Sequence, residues 1–145
     1  MDIKQFATIY RKAKFELKDQ LGFCFDVVHS FLANEEFLKI PEDLLLDLQY
    51  IHLNDTESKE FDDHLPLGDG ILPLNEFFDF LKQIEFDGII NLEVKPKNTL
   101  SALRVVDSYL RVLRRVQFQK YLQTKIRLIF LKPVIKRRLK QLSME

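Results

Sequence analysis

The sequence lacks most of what marks an extracellular or membrane protein. It holds one cysteine, Cys24, so an internal disulfide framework is excluded. No window approaches the roughly 18 apolar residues of a membrane-spanning helix. The opening stretch MDIKQFATIYRKAKFELKD carries charges every few residues and reads as neither a signal peptide nor an anchor. A soluble protein of a reducing cytoplasm is therefore expected. Glycine and proline are scarce, at 4 and 5, and 46% of the 145 residues are apolar, which excludes a disordered composition. A domain of this size buries roughly 70% of the surface its unfolded chain exposes, enough for a core without staples.

Net charge is absent too, with 22 Lys+Arg against 22 Asp+Glu, but the balance conceals two unlike parts. Up to Leu110 there are 11 basic and 21 acidic residues, a balance of −10; from Arg111 onward there are 11 basic residues and only Glu145, a balance of +10. Two regions are expected, 1–110 and a basic amphipathic helical tail, 111–145.

Residues 4–18 read as an amphipathic helix, with Phe6, Ile9, Tyr10 and Ala13 at helical spacing. The run Phe23-Cys24-Phe25-Asp26-Val27-Val28 reads as a parallel strand buried on both faces, which makes Cys24 a core residue rather than a nucleophile. A helix is expected from near Pro41, then a strand over 48–53 and a polar loop over 54–63. A helix over 74–84 and a strand over 89–94 follow. This βα alternation predicts an α/β protein with a parallel sheet. Beyond Thr99 only helix is expected, with Leu103, Val106, Leu110 and Leu113 as one stripe and Leu122, Ile126 and Ile129 as its continuation. Pro133 is expected to kink or divide that helix.

Each strand ends on a residue able to bind a metal: Asp26, His52 and Glu93. In parallel sheets that rim is where ligands bind. Two carboxylates and an imidazole suit a hard-to-borderline divalent ion, Mn, Mg or Zn. The remaining two histidines, His29 and His64, fall in the loops after those strands, which favours one shared site. Asn54 and Asp55 fit either support for that site or loop capping. Lys95 is placed to meet a substrate phosphate or simply to face solvent. Gly68 and Gly70 read as turn residues that bring His64 inward; no G-x-x-x-x-G-K pattern makes them a phosphate cradle.

The succession Phe25-Asp26-Val27-Val28-His29, Ile51-His52-Leu53-Asn54-Asp55, Asp62-Asp63-His64-Leu65-Pro66-Leu67-Gly68-Asp69-Gly70 and Asn91-Leu92-Glu93-Val94 resembles the C-terminal part of the xylose-isomerase-like TIM barrels. That superfamily holds sugar and sugar-phosphate isomerases and epimerases together with AP endonucleases of the endonuclease IV type. The resemblance implies a partial (β/α)8 barrel, its last three βα units, with the basic helical extension added. It implies Asp26, His52 and Glu93 as ligands of a shared metal, with Glu93 also a catalytic acid/base. It implies His29 as a substrate contact or ligand of a further zinc, and Asp62 and His64 as further zinc ligands. The family's fourth ligand of the shared metal, a glutamate on the preceding strand, has no counterpart here.

Three strands cannot close a barrel, and a typical barrel takes about 250 residues. A truncated gene is the first expectation, ahead of a complementary N-terminal half-barrel or a homo-oligomer. The leading functional expectation is a divalent-metal sugar or sugar-phosphate isomerase or epimerase, with Glu93 as base and His29, His64 and Lys95 contacting substrate. The runner-up is a zinc phosphodiesterase acting on abasic DNA, which the acidic region disfavours. A third expectation is a non-catalytic remnant or interaction module, for which the tail would serve as a binding element.

Overall fold

The computed structural model describes residues 3–33, 37–95 and 99–142. Helix α1 (Ile3–Leu17) buries Ala7 and Tyr10, and a 3-10 turn, Lys18–Gln20, leads from it toward strand β1 (Phe23–Asp26). The strand is two residues shorter than its apolar run. Val27 and Val28 instead open helix α2 (Val27–Leu32), because the Asp26 carboxylate accepts the His29 N–H at 2.9 Å and caps the first turn. Helix α3 (Glu42–Leu45) begins behind Pro41, with Glu42 and Asp43 at the positive end of its dipole. Strand β2 (Leu48–Leu53), helix α4 (Leu74–Gln83) and strand β3 (Ile89–Leu92) follow. Helices α5 (Thr99–Val116) and α6 (Phe118–Leu142) complete the order.

The strands form one parallel sheet in the order β1-β2-β3. The fold is a partial barrel of the (β/α)8 kind, with β2 central. Its covered face carries Phe23, Phe25, Ile51 and Leu53, all buried. The Phe6 and Tyr10 rings of α1 lie 5.5 and 6.1 Å from that of Phe23. Val27, Val28, Leu44, Leu67 and Phe77 complete the fully buried core. Polar contacts lock α1 in place: the Tyr10 hydroxyl and the Lys14 ammonium both donate to Asp47, at 3.0 and 2.8 Å, and Arg11 pairs in bidentate fashion with Asp43.

The opposite face corrects an expectation. β1 is buried on one side only, and Cys24 is exposed rather than core. Apolar side chains alternate across a strand, so burial on both sides needs cover on both sides. Helices cover the phenylalanine side. The other side holds Cys24, half-buried Tyr50 and His52, and an Ile89 that is 59% exposed.

Two further corrections concern the helical end. Leu103 and Val106 of the expected stripe are exposed while Leu113 is buried, and α5 also buries a polar residue, Ser108, 1% exposed. Its hydroxyl accepts the Leu67 N–H and donates to the Arg104 carbonyl, both at 2.9 Å, while Arg104 pairs with Asp69. A buried loop amide has to find an acceptor, and Ser108 supplies it. Of the kink or division expected at Pro133, the division is not there: α6 runs on through Pro133, and the break between helices falls at Gln117. Proline withholds one donor from a ladder of 25 residues, and the rest of the helix remains.

The chain divides into two compact units, Met1–Ser108 and Tyr109–Glu145. In the second, Leu122, Ile126 and Ile129 are exposed along α6. Among the described residues no helix is long and apolar enough to cross a membrane.

Candidate metal centre

Register places the strand-end residues in one layer. Asp26 pairs with His52 across β1 and β2, and His52 with Asn91 across β2 and β3; Glu93 follows two residues later on the same face. His52 Nδ1 lies 3.1 Å from Glu93 Oε1 and 3.7 Å from Asp26 Oδ2. Asp26, His52 and Glu93 each offer a ligand atom within 4.8 Å of the others, and all three are half-buried. Two donors on a tetrahedral ion at about 2.1 Å are about 3.4 Å apart, so this donor set fits one divalent ion with small side-chain adjustment.

A second group adjoins the first. Asp62 Oδ2 lies 3.2 Å from His64 Nε2 and 3.6 Å from His29 Nε2. His29 Nε2 is also 3.9 Å from Asp26 Oδ2, and His64 Nδ1 is 2.9 Å from the Glu93 carbonyl oxygen. A carbonyl only accepts, so Nδ1 carries a proton toward Glu93, and Nε2 faces the Asp62 carboxylate. All six residues thus form one continuous cluster. His29 is its most exposed member at 66%, and Asp62 its least at 14%. Lys95 joins through its backbone, whose N–H donates to the His64 carbonyl at 3.0 Å, and the residue is exposed.

The loop after β2 explains how His64 arrives there. Asn54, 1% exposed, donates from Nδ2 to Asp62 Oδ1 at 2.5 Å; its own Oδ1 is buried without a partner among the described residues. Asp55, 0% exposed, accepts four backbone N–H groups: Thr56, Gly68, Gly70 and Leu72, at 2.7 to 3.1 Å. The glycines of the G-x-G stretch therefore do build an anion cradle, and the anion is the protein's own carboxylate. Gly68 has φ 87°, open to glycine, and a Cβ on Gly70 would lie 2.5 Å from Asp55 Oδ1.

Sequence reasoning missed Asn91 and Tyr50. The Asn91 amide nitrogen lies 3.5 Å from Glu93 Oε1, and the Tyr50 ring stands edge-on to His52 with centroids 5.5 Å apart. The signal was period two: each lies two residues from a ligand-type residue on the same strand face. Cys24 lies on this face too. Partial desolvation first, then the Asp26 and Glu93 carboxylates, raise its pKa, so the thiolate is disfavoured here.

Three parallel strands with ligand-type side chains at one rim define a partial barrel with a candidate metal centre. A family model described as xylose isomerase-like TIM barrel matches residues 2–116, and the chain belongs to that family. Two uncharacterized proteins of Methanocaldococcus jannaschii are similar in sequence. One is 27% identical over 95 residues, covering 63% of this chain and 32% of its own. The other is 32% identical over 111 residues, covering 73% and 41%. The crystal structure of a D-tagatose 3-epimerase-like protein matches with a TM-score of 0.50 and 25% identity, over 76% of this chain and 42% of that one. The chain spans less than half the length of each of these relatives.

Proposed function

We propose that the chain carries the metal-binding rim of a sugar or sugar-phosphate isomerase or epimerase dependent on a divalent metal. The observation that carries this reading is the layer of Asp26, His52 and Glu93 on three successive parallel strand ends. The D-tagatose 3-epimerase-like neighbour supports the substrate class. Asp26, His52 and Glu93 would hold the ion, which when bound supplies a Lewis acid for adjacent carbonyl and hydroxyl oxygens. Asp26 spends Oδ1 on capping α2 and keeps Oδ2 for the site. Glu93 takes or returns the proton on the carbon next to the carbonyl. His29 and His64 contact substrate hydroxyls at the rim, and the exposed Lys95 meets a phosphate where there is one. A complementary half-barrel or a second copy of the chain covers the sheet face of Cys24, Tyr50 and Ile89 and pairs with β1 and β3, the outer strands among the described residues. The single thiol suits a reducing cytoplasm.

A second reading rests on Asp62, flanked by His29 and His64 at 3.6 and 3.2 Å. These three are the further zinc ligands expected of an endonuclease IV-like phosphodiesterase acting on abasic DNA.

Metal titration of the full chain with Mn2+, Co2+ and Zn2+ tests both. About one ion per chain, lost in His52→Ala, supports the isomerase reading, whereas further zinc ions lost in Asp62→Asn favour the phosphodiesterase. No binding of any of the three ions would overturn both. Incubation with D-tagatose in D2O, in the presence of the bound metal, then checks the chemistry through deuterium appearing beside the carbonyl.

A further inference from the structure

We infer that Asp55 is a positioning residue that acts through the loop it closes, holding His64 in the conformation the site uses. An isolated antiparallel bridge between Asp55 and Leu65 closes the loop on the strand end. The Asp55 N–H and carbonyl exchange hydrogen bonds with Leu65, at 2.9 and 2.8 Å, and Leu65 follows His64 directly. The Asp55 side chain then gathers Gly68, Gly70 and Leu72, so one buried residue ties down the limb that leaves the His64 turn.

His64 needs such a tie. Its φ is 51°, a left-handed conformation uncommon outside glycine, although histidine adopts it more readily than most residues. In that conformation its two ring nitrogens reach different partners, the Glu93 carbonyl and Asp62. A relaxed backbone would swing the ring away from both. The ligand-type residues Asp26, His52 and Glu93 are held by strand register instead, and none of them hydrogen-bonds to the Asp55 carboxylate among the described residues. Asp55 therefore governs the Asp62–His64 half of the cluster and leaves the strand-end half in place. This inference rests on reading His64 as part of the site, but its test needs neither substrate nor metal.

The test is nitrogen-15 NMR of the uniformly labelled full chain, comparing the unaltered protein with Asp55→Asn. Asparagine turns an NH2 toward backbone donors in the cradle and cannot accept on both sides. The unaltered protein is expected to show a proton fixed on His64 Nδ1. In Asp55→Asn, His64 is expected to change to the mixed tautomers of a free imidazole, while His52 and the Ile51 and Leu53 amides keep their signals. An unchanged His64 in a folded Asp55→Asn whose Gly68 and Gly70 amides have lost protection would overturn the inference. Should that variant fail to fold, hydrogen exchange in the unaltered protein decides. The Leu65, Gly68, Gly70 and Leu72 amides are expected to exchange together, about a hundredfold slower than unprotected amides. Unprotected amides at Gly68 and Gly70, or a Leu65 rate unrelated to theirs, would refute the coupling. Metal titration of the unaltered protein is read separately, so failure of the metal reading leaves the tautomer result interpretable.

Discussion

His52 Nδ1 stands 3.1 Å from Glu93 Oε1, although one residue lies inside β2 and the other just beyond β3. Parallel register brings them together, and the same register sets Asp26 on the other side of the imidazole. Neither contact follows from spacing along the chain.

If these side chains share an ion, removing one should weaken it strongly. His52→Ala and Glu93→Gln are each expected to lower Zn2+ or Mn2+ affinity by at least about tenfold, since even outer partners of metal ligands are worth that much. Isothermal titration of the full chain measures it, with Asp79→Asn, on the helix α4, as the control expected to bind normally.

The G-x-G loop offers a pair of glycine substitutions with opposite outcomes. Gly70→Ala should destabilise by about 1–3 kcal/mol, because its methyl meets Asp55 Oδ1 at 2.5 Å and the Thr56 carbonyl carbon at 2.7 Å. Gly22→Ala meets only the end of the Gln49 side chain, which can turn aside, and should cost much less. Urea denaturation of both variants compares them, and equal midpoints would contradict the cradle.

Tyr10 makes stability sensitive to alkaline pH. Burial first, and then the hydrogen bond and charge of Asp47, push its hydroxyl up to about 12 from an ordinary value of 10.0. The unfolded chain then releases this proton first, so the contribution is intact below about pH 10 and falls as pH rises toward 12. Thermal melts across that window should show a steeper loss for the unaltered protein than for Tyr10→Phe.

Core and surface contacts on the same side of the sheet should differ greatly in worth. Phe77 is 0% exposed, and Phe77→Ala is expected to cost about 3–5 kcal/mol. The Arg11–Asp43 pair is short and bidentate but exposed, and Arg11→Ala should cost less than about 1 kcal/mol. Chemical denaturation would show this ranking, and a reversed order would contradict the assigned core.

Much of the fold was legible because its signals are local. Apolar runs closing on Asp26 and His52 marked β1 and β2, and Pro41 marked the entry to α3. The errors arose where a nonlocal partner decided. Cys24 was expected in the core because its neighbours are apolar, yet cover on its side of the sheet depends on what packs there. The first half of the α5 stripe was misplaced, with Leu103 and Val106 exposed, and the amide of Leu67, distant along the chain, captures Ser108 instead. Asn54 and Asp55 were undecided from sequence, since loop capping and site support call for the same residue types. In space they divide the work, Asn54 holding Asp62 and Asp55 holding the backbone that follows His64.

The sequence by itself determined which residue types stand at the strand ends and in the loop after β2, and hence the family and the class of ion they suit. It also determined the division of charge between an acidic βα part and a basic helical one. Only the tertiary structure decided that the six residues meet, that Asp26 caps a helix while facing His52, and that a buried carboxylate fills the glycine cradle. The reason is geometric. Residue type and period are carried by neighbouring positions, whereas a site is made by register and loop closure, which join residues the chain keeps far apart.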